Sequence, residues 1–153
     1  QVLDSGAWVT KGAEFVPQNV AMVGINATAD TTNRLSVSSA ATLLNNAGAG
    51  HQLKINKVAA SDTASLLYQS GWSGRAEMGL SGNDDFSIKV SADGSSWTTA
   101  IAIDGADGRV RVNQLLHVAP SATPGTAQAG DVYYDSTTNK LRCHDGTVWQ
   151  DLF

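Results

Sequence analysis

The sequence predicts an all-β fold: an antiparallel β-sandwich or β-prism with a small carboxy-terminal β-hairpin unit. Small polar residues and turn formers fill the chain, whereas only 16% of its 153 residues are charged and 7% are aromatic. A helical protein of this length would instead be dominated by Glu, Lys and Leu. Short apolar or alternating runs recur at regular intervals, each bounded by Gly, Asn, Asp or Ser, as strands joined by turns require.

The predicted strands divide the chain into four parts. We expect an attachment or linker segment at 1–33, a β-rich domain at 34–118, a linker at 119–130 and a terminal β-hairpin module at 131–153. The linker contains two of the three prolines, which favour extended backbone. The predicted strands of the second part are RLSV (34–37), HQLKINKV (51–58), ASLLYQ (64–69), RAEMGL (75–80), DFSIKVS (85–91), WTTAIAI (97–103) and GRVRV (108–112).

Two details of this pattern bear on the fold. The run TASLLYQ is short and apolar, so it fits either a strand or a helical turn. In the terminal module, DVYYD and KLRCH flank the turn STTN, and Asp145-Gly146 leads the chain into TVWQDL. About two dozen residues bury little core, so we expect this module to pack on a neighbour.

Charge and cysteine content exclude several classes of function. The net charge is −4 without any basic run, which argues against nucleic acid as a partner. The single cysteine, Cys143, rules out an intrachain disulfide or a thiolate cluster within one chain. No apolar run approaches the length of a membrane span, so no membrane partner is expected. The chain begins at Gln1, and we expect it to be a piece of a longer protein.

Four Asp-Gly pairs lie at predicted strand ends: Asp93-Gly94, Asp104-Gly105, Asp107-Gly108 and Asp145-Gly146. Aspartate accepts hydrogen bonds from nearby backbone amides, and glycine tolerates positive φ, so the pairs predict turns. The run DGADGR lacks the spaced ligands and terminal Glu of a helix-loop-helix calcium site. We therefore predict no metal ion and no cofactor.

Longer stretches resemble a known family. TASLLYQSGWSGRAEMGLSGNDDFSIKVSADGSSW and GINATADTTNRLSV resemble the carboxy-terminal adhesin region of tailed-phage tail fibres and of the head spikes of alphaproteobacterial gene transfer agents. This resemblance covers residues 23–104, and the ending GDVYYDSTTNKLRCHDGTVWQDL resembles a second module common at fibre ends.

The resemblance implies a spike domain that forms an intertwined homotrimer on the surface of a virion or gene transfer agent particle, extracellular after host lysis. Its implied ligand is a bacterial surface polysaccharide, in particular a capsule, and its implied partners are other spike, fibre or capsid proteins. Two alternatives remain open: a trimerising stem or cap that carries another receptor-binding domain, and a capsule depolymerase.

Catalytic residues are not evident. A glycosidase needs two carboxylates across a sugar-binding cleft, and the best candidate outside the turns is Glu77. Glu77 lies two residues from Arg75 on the same strand face, so an ion pair or a polar outer face is the better interpretation. The three histidines are isolated, and no serine has a placed histidine and aspartate partner. We predict that the chain is not an enzyme.

A carbohydrate site is the sharper hypothesis. Flat aromatic rings stack on the C–H surface of a sugar, while Asn, Asp and Arg side chains bind its hydroxyls. Trp72 lies in the turn-like SGWSGR, and Trp97 follows the turn ADGSS. Either ring also fits a position covering the end of a small core: the two interpretations are equal for Trp72, and the core position is the better one for Trp97. The predicted carbohydrate-binding residues are Trp72, Arg75, Asn83, Asp85 and Trp97.

Overall fold

The computed structural model describes Val2–Asp4, Ala7–Val9 and residues 19–153. These residues form thirteen β-strands and no helix, which confirms the all-β prediction. It follows that the described part contains no helix long and apolar enough to cross a membrane. The chain divides into two compact units, Gln1–Leu53 and Lys54–Phe153.

The first unit contains two separate strand pairs. Strand β1 (Val2–Asp4) pairs antiparallel with β2 (Ala7–Val9). Strand β3 (Val23–Ile25) pairs parallel with β4 (Leu35–Val37), which confirms the strand predicted at RLSV. Asp30 shapes the connection between β3 and β4, because its Oδ1 accepts hydrogen bonds from the backbone amides of Thr32 and Asn33.

A five-stranded antiparallel meander dominates the second unit, with its strands in sequential order. The run TASLLYQ belongs to its first strand, which resolves the choice between strand and helical turn. The five strands are β5 (Thr63–Ser70), β6 (Ser73–Ser81), β7 (Phe86–Val90), β8 (Thr98–Ile103) and β9 (Val110–Val112).

The strand predicted at HQLKINKV is wrong. None of residues 51–58 belongs to a strand, and both Leu53 and Ile55 are exposed. Alternation alone does not make a strand, because the backbone groups also need a neighbouring strand to bond. Lys57 instead extends its side chain toward the turn between β6 and β7.

One face of the meander is apolar from edge to edge. Because residues paired across antiparallel strands share a face, the register fixes its members. We call this set the apolar face: Ala64, Leu66, Tyr68, Ala76, Met78, Leu80, Phe86, Ile88, Val90, Thr98, Ile101, Ile103, Val110 and Val112. None of the other described strands of this unit packs against it.

The opposite face is mostly polar, and we call it the polar face. Its members are Thr63, Ser65, Leu67, Glu77, Gly79, Ser81, Ser87, Lys89, Thr99, Ala102 and Arg111. Gly79 lies at its centre with φ +144°, and a Cβ there would come within 2.7 Å of the Ser65 Cα and would meet the Ala64 carbonyl oxygen. Only glycine lets β5 and β6 approach this closely.

A four-stranded terminal sheet follows, in the order β10 (Pro120–Ser121), β11 (Val132–Asp135), β12 (Lys140–His144) and β13 (Trp149–Asp151). Its last three strands are antiparallel, as the predicted terminal unit requires. Strand β10 lies within the predicted linker and pairs parallel with β11. Ten residues separate β10 from β11, and the two strands are parallel, so no tight turn joins them. The sequence therefore contains no turn motif that would reveal this pairing.

The terminal sheet is held by an aromatic pair and a buried charge. The Tyr133 and Trp149 rings meet edge to face with centroids 4.5 Å apart. Asp135 is buried, and its Oδ2 accepts a hydrogen bond from the Tyr133 hydroxyl at 3.1 Å and lies 3.4 Å from an Arg142 guanidinium nitrogen. These contacts give a small sheet a fixed centre despite its limited apolar core.

The Asp-Gly pairs form turns, as predicted. Asp93 Oδ1 accepts hydrogen bonds from the amides of Ser95 and Ser96, and Gly94 has φ +83°. The two amides, Ser96 first, hold the pKa of Asp93 well below its usual range. Asp104 bonds the Ala106 amide in the β8–β9 turn in the same manner.

Candidate carbohydrate-binding face

A groove opens on the polar face beside the turn that joins β6 to β7. Its volume is about 240 Å³. All but one of its lining residues carry hydroxyl, amide or charged side chains, so it offers many hydrogen-bond donors and acceptors. We call it the polar groove, and it is lined by Ser81, Asn83, Asp85, Ser87, Lys89, Thr99, Ala102, Arg111 and Asn113.

Asp85 joins two turns at one wall of the polar groove. Its Oδ1 accepts a hydrogen bond from the Gly105 amide at 3.0 Å, and its Oδ2 lies 3.3 Å from an Arg111 guanidinium nitrogen. Arg111 also reaches Asp104 Oδ2 at 3.6 Å. The β6–β7 turn is thereby tied to the β8–β9 turn, and both carboxylates are engaged with the same cation.

The turn before Asp85 is fixed from the other side by Lys57. Its ammonium lies 2.8 Å from Asp84 Oδ1 and donates to the Asn83 carbonyl oxygen at 2.7 Å. The Asn83 side chain in turn accepts a hydrogen bond from the Asp85 amide at 3.0 Å. The wall that carries Asn83 and Asp85 is therefore organised before any ligand arrives.

Lys89 is the second cation of the polar groove. It lies directly opposite Glu77 across β6 and β7, yet the two side chains lean apart. The Lys89 ammonium donates to Ser81 Oγ at 2.9 Å, whereas Glu77 Oε1 accepts a hydrogen bond from Ser65 Oγ at 2.7 Å. Among the described residues, no carboxylate lies within ion-pair distance of Lys89.

Trp72 occupies the apex of the β5–β6 hairpin. Gly71 has φ +55° and Trp72 has φ +66°, so both central residues of the tight turn are left-handed. For a bulky residue this conformation costs roughly 1–2 kcal/mol. Burial of the ring does not offset this cost, because 93% of the residue is exposed. Such a displayed and strained aromatic side chain is a candidate contact for a ligand.

Arg75 and Trp97 lie near the same end of the sheet. The register shifts beside Arg75, and its guanidinium donates to the Ala92 carbonyl oxygen at 2.8 Å. Arg75 and Glu77 therefore do not form an ion pair, and Glu77 lies on the polar face, the other arrangement that the sequence allowed. The Trp97 ring lies over Gly74, where a Cβ would come within 2.8 Å of the indole Cζ2, so Trp97 partly covers the hairpin.

The structure separates the five predicted carbohydrate-binding residues into two groups. Asn83 and Asp85 belong to the polar groove beyond one end of β6, whereas Trp72, Arg75 and Trp97 lie at the other end. The nine residues of β6 put about 27 Å between its ends. One sugar unit therefore cannot touch both groups, although a longer chain of sugars can.

The sequence prediction missed Lys89, Thr99, Arg111 and Asn113, which line the polar groove. Their side chains are brought together from β7, β8, β9 and the residue that follows it. Period-2 alternation in FSIKV already places Lys89 opposite to Ile88 and Val90. The register between strands determines which polar residues of the other strands lie beside Lys89. That register cannot be read from the sequence of one strand alone.

A second cavity, of about 480 Å³, lies beside the terminal sheet. Its lining includes Leu116, Tyr134, Leu141 and Phe153, so it is more apolar than the polar groove. Within the described residues, no cluster of three or more His, Cys, Asp or Glu side chains is arranged to hold a metal ion. Of these two cavities, the polar groove is the better candidate for binding a hydrophilic ligand.

The chain matches no family model, no curated protein and no solved structure.

Proposed function

We propose that this chain is a subunit of a homotrimeric spike or fibre protein on a virion or gene transfer agent particle. Its ligand is a bacterial surface polysaccharide, such as a capsule, and it binds this ligand without cleaving it. The observation that carries the proposal is the two-sided meander, with an apolar face on one side and a polar groove on the other.

The apolar face supports assembly from several copies. Leu66, Tyr68, Val90, Val110 and Val112 are all exposed in the single chain, although they are the kind of residue that forms a core. Contiguous apolar surface of this kind marks an interaction site in soluble proteins. Three copies of one sheet, each turning this face to a common axis, satisfy closed symmetry and leave the polar faces outward.

The polar face supports recognition of a glycan. Sugars present many hydroxyl groups, and the polar groove offers hydroxyl, amide and charged partners on a wall held by Asp85 and Lys57. At the far end of the sheet, Trp72 presents an exposed indole that suits stacking on the C–H surface of a sugar ring. Weak sites of this kind gain avidity when three chains and many spikes act together.

Binding of the purified protein to encapsulated cells and to capsule-free cells of the same strain tests the proposal. We expect capture only by encapsulated cells, and a native mass near three times the 15.9 kDa of one chain. Equal capture by both cell types overturns the capsule as ligand. A trimer that binds neither cell type supports a structural stem instead, and release of oligosaccharides from the capsule supports a depolymerase.

A further inference from the structure

We propose that the polar groove selects an acidic sugar unit, a uronate, and that Lys89 binds its carboxylate. This inference rests on the proposed function and specifies the class of glycan. It depends on the position of Lys89, on the charges around it and on the size of the polar groove.

Lys89 lines the polar groove, and its ammonium contacts Ser81, another lining residue. Glu77 is the cross-strand neighbour of Lys89, a position where oppositely charged residues commonly pair. Instead, Glu77 turns to Ser65 on β5, and Lys89 turns to the Ser81 hydroxyl and carbonyl oxygens at 2.9 and 3.5 Å. Neutral oxygens satisfy part of the hydrogen-bonding capacity of the ammonium and leave its charge without a counter-ion among the described residues.

The other charges near the polar groove contact one another. Asp85 and Asp104 share one cation, Arg111, so Arg111 has a carboxylate on each of two sides and this group of three carries a net charge of −1. Among the lining residues, Asp85 is the single acidic group, whereas Lys89 and Arg111 are both basic. The lining residues alone therefore carry one positive charge in excess. Because Arg111 is engaged by both Asp85 and Asp104, the cation that remains for an anionic ligand is Lys89.

The dimensions favour one sugar unit. A volume of about 240 Å³ lies below the roughly 300 Å³ at which sites for drug-sized ligands begin. The Thr99 hydroxyl and the Asn113 amide lie in the same lining, where they are available to sugar hydroxyls, whereas the buried Ser87 hydroxyl donates to the Gly79 carbonyl oxygen. A uronate has this composition, with one carboxylate and several hydroxyls on a single ring.

The test uses the full-length protein in its native assembly and immobilised oligosaccharides of galacturonate, mannuronate and hyaluronan. Each is presented beside its carboxyl-reduced form, which keeps the linkage and loses the charge. We expect binding to at least one acidic series and about tenfold weaker binding to its reduced form. Tenfold corresponds to about 1.4 kcal/mol, within the range of a hydrogen bond between charged groups.

Substitutions at Lys89 test whether this residue causes the preference for acidic oligosaccharides. Lys89→Gln removes the charge and should abolish the difference between acidic and reduced oligosaccharides, while Lys89→Arg should retain it. Lys54→Gln removes the same charge from an exposed position outside the polar groove and should bind as the unaltered protein does. Circular dichroism and native mass of each variant verify that its fold and assembly are intact.

Two results would overturn the inference. One is equal binding to acidic and reduced oligosaccharides, or an acidic preference that survives Lys89→Gln. The other is the lack of binding to every acidic series. In both cases the capture of encapsulated cells decides separately whether the proposed function stands.

Discussion

Leu66 and Leu67 are consecutive residues of β5 with similar exposure, 42% and 52%, and they lie on opposite faces of the meander. Leu66 pairs with Met78 on the apolar face, whereas Leu67 pairs with Glu77 on the polar face. In a single chain the two leucines are nearly equivalent. The proposed neighbouring copy on the apolar face would bury Leu66 and leave Leu67 exposed, so the two residues form a matched pair for testing assembly.

We expect Leu66→Arg to break the trimer and Leu67→Arg to leave it intact. A charge at a buried apolar interface without a partner is strongly unfavourable, whereas the same charge on a solvated face costs little. Analytical ultracentrifugation at equal protein concentration measures the difference. If both variants keep the mass of the unaltered protein, the apolar face is not the contact between copies.

Trp72 combines a positive φ with an exposed indole, so its two expected effects can be measured separately. Trp72→Gly should be more stable than Trp72→Ala by about 1 kcal/mol, because glycine adopts the observed positive φ without steric cost. Both variants should bind encapsulated cells less well, since both lose the exposed indole. Denaturant midpoints and cell capture provide the two measurements. Unchanged capture by both variants would remove Trp72 from the binding surface.

Gly79 determines how closely β5 and β6 approach. We expect Gly79→Ala to lower the free energy of unfolding by at least about 2 kcal/mol. The new Cβ would sit on a residue with positive φ and would collide with backbone atoms of β5, which cannot move aside as a flexible side chain can. Gly125→Ala is the matched control, since a Cβ there meets nothing within 4 Å. Equal denaturant midpoints for the two variants would contradict the close approach at Gly79.

The terminal sheet should lose stability in acid. The Gln150 amide, followed by the backbone amides of Val148 and Thr147, lowers the pKa of Asp145 to about 2 from its ordinary 3.8. The unfolded chain therefore takes up this proton first as the pH falls. The stabilisation is complete above about pH 4 and is lost progressively toward pH 2.

Thermal unfolding between pH 5 and pH 2 measures this loss. Asp145→Asn should be less stable at pH 5 and should show a smaller decline with acid than the unaltered chain. Gln150→Ala keeps the carboxylate but loses the first of its hydrogen bonds, so the pKa of Asp145 in the folded protein rises. Its decline should begin at the same pH, be smaller and end at a higher pH. Identical declines in all three proteins would mean that Asp145 does not contribute.

Local patterns in the sequence predicted the strands and turns of the meander well. Each Asp-Gly pair bends the chain through contacts within a few residues, as Asp93 does with the amides of Ser95 and Ser96. The period-2 alternation in FSIKV predicted a strand there without information about the neighbouring strands. HQLKINKV has similar alternation but no strand beside it, which sequence pattern alone does not reveal.

The polar groove was less predictable, because it depends on which strands lie side by side. Asp85 and Arg111 are 26 residues apart and meet only after β7, β8 and β9 have paired. Glu77 and Arg75 look like neighbours on one face, but the register shift beside Arg75 separates their contacts. Register, more than propensity, determines which side chains share a site in a sheet.

The apolar face also affects how this protein must be made. A newly folded meander presents to water a surface that will adhere to any other apolar surface, including those of unrelated proteins. In the proposed trimer, association of the copies through this face would compete with aggregation, and its rate would depend on the local concentration of newly made chains. The yield of folded protein would then depend on that local concentration as well as on the sequence.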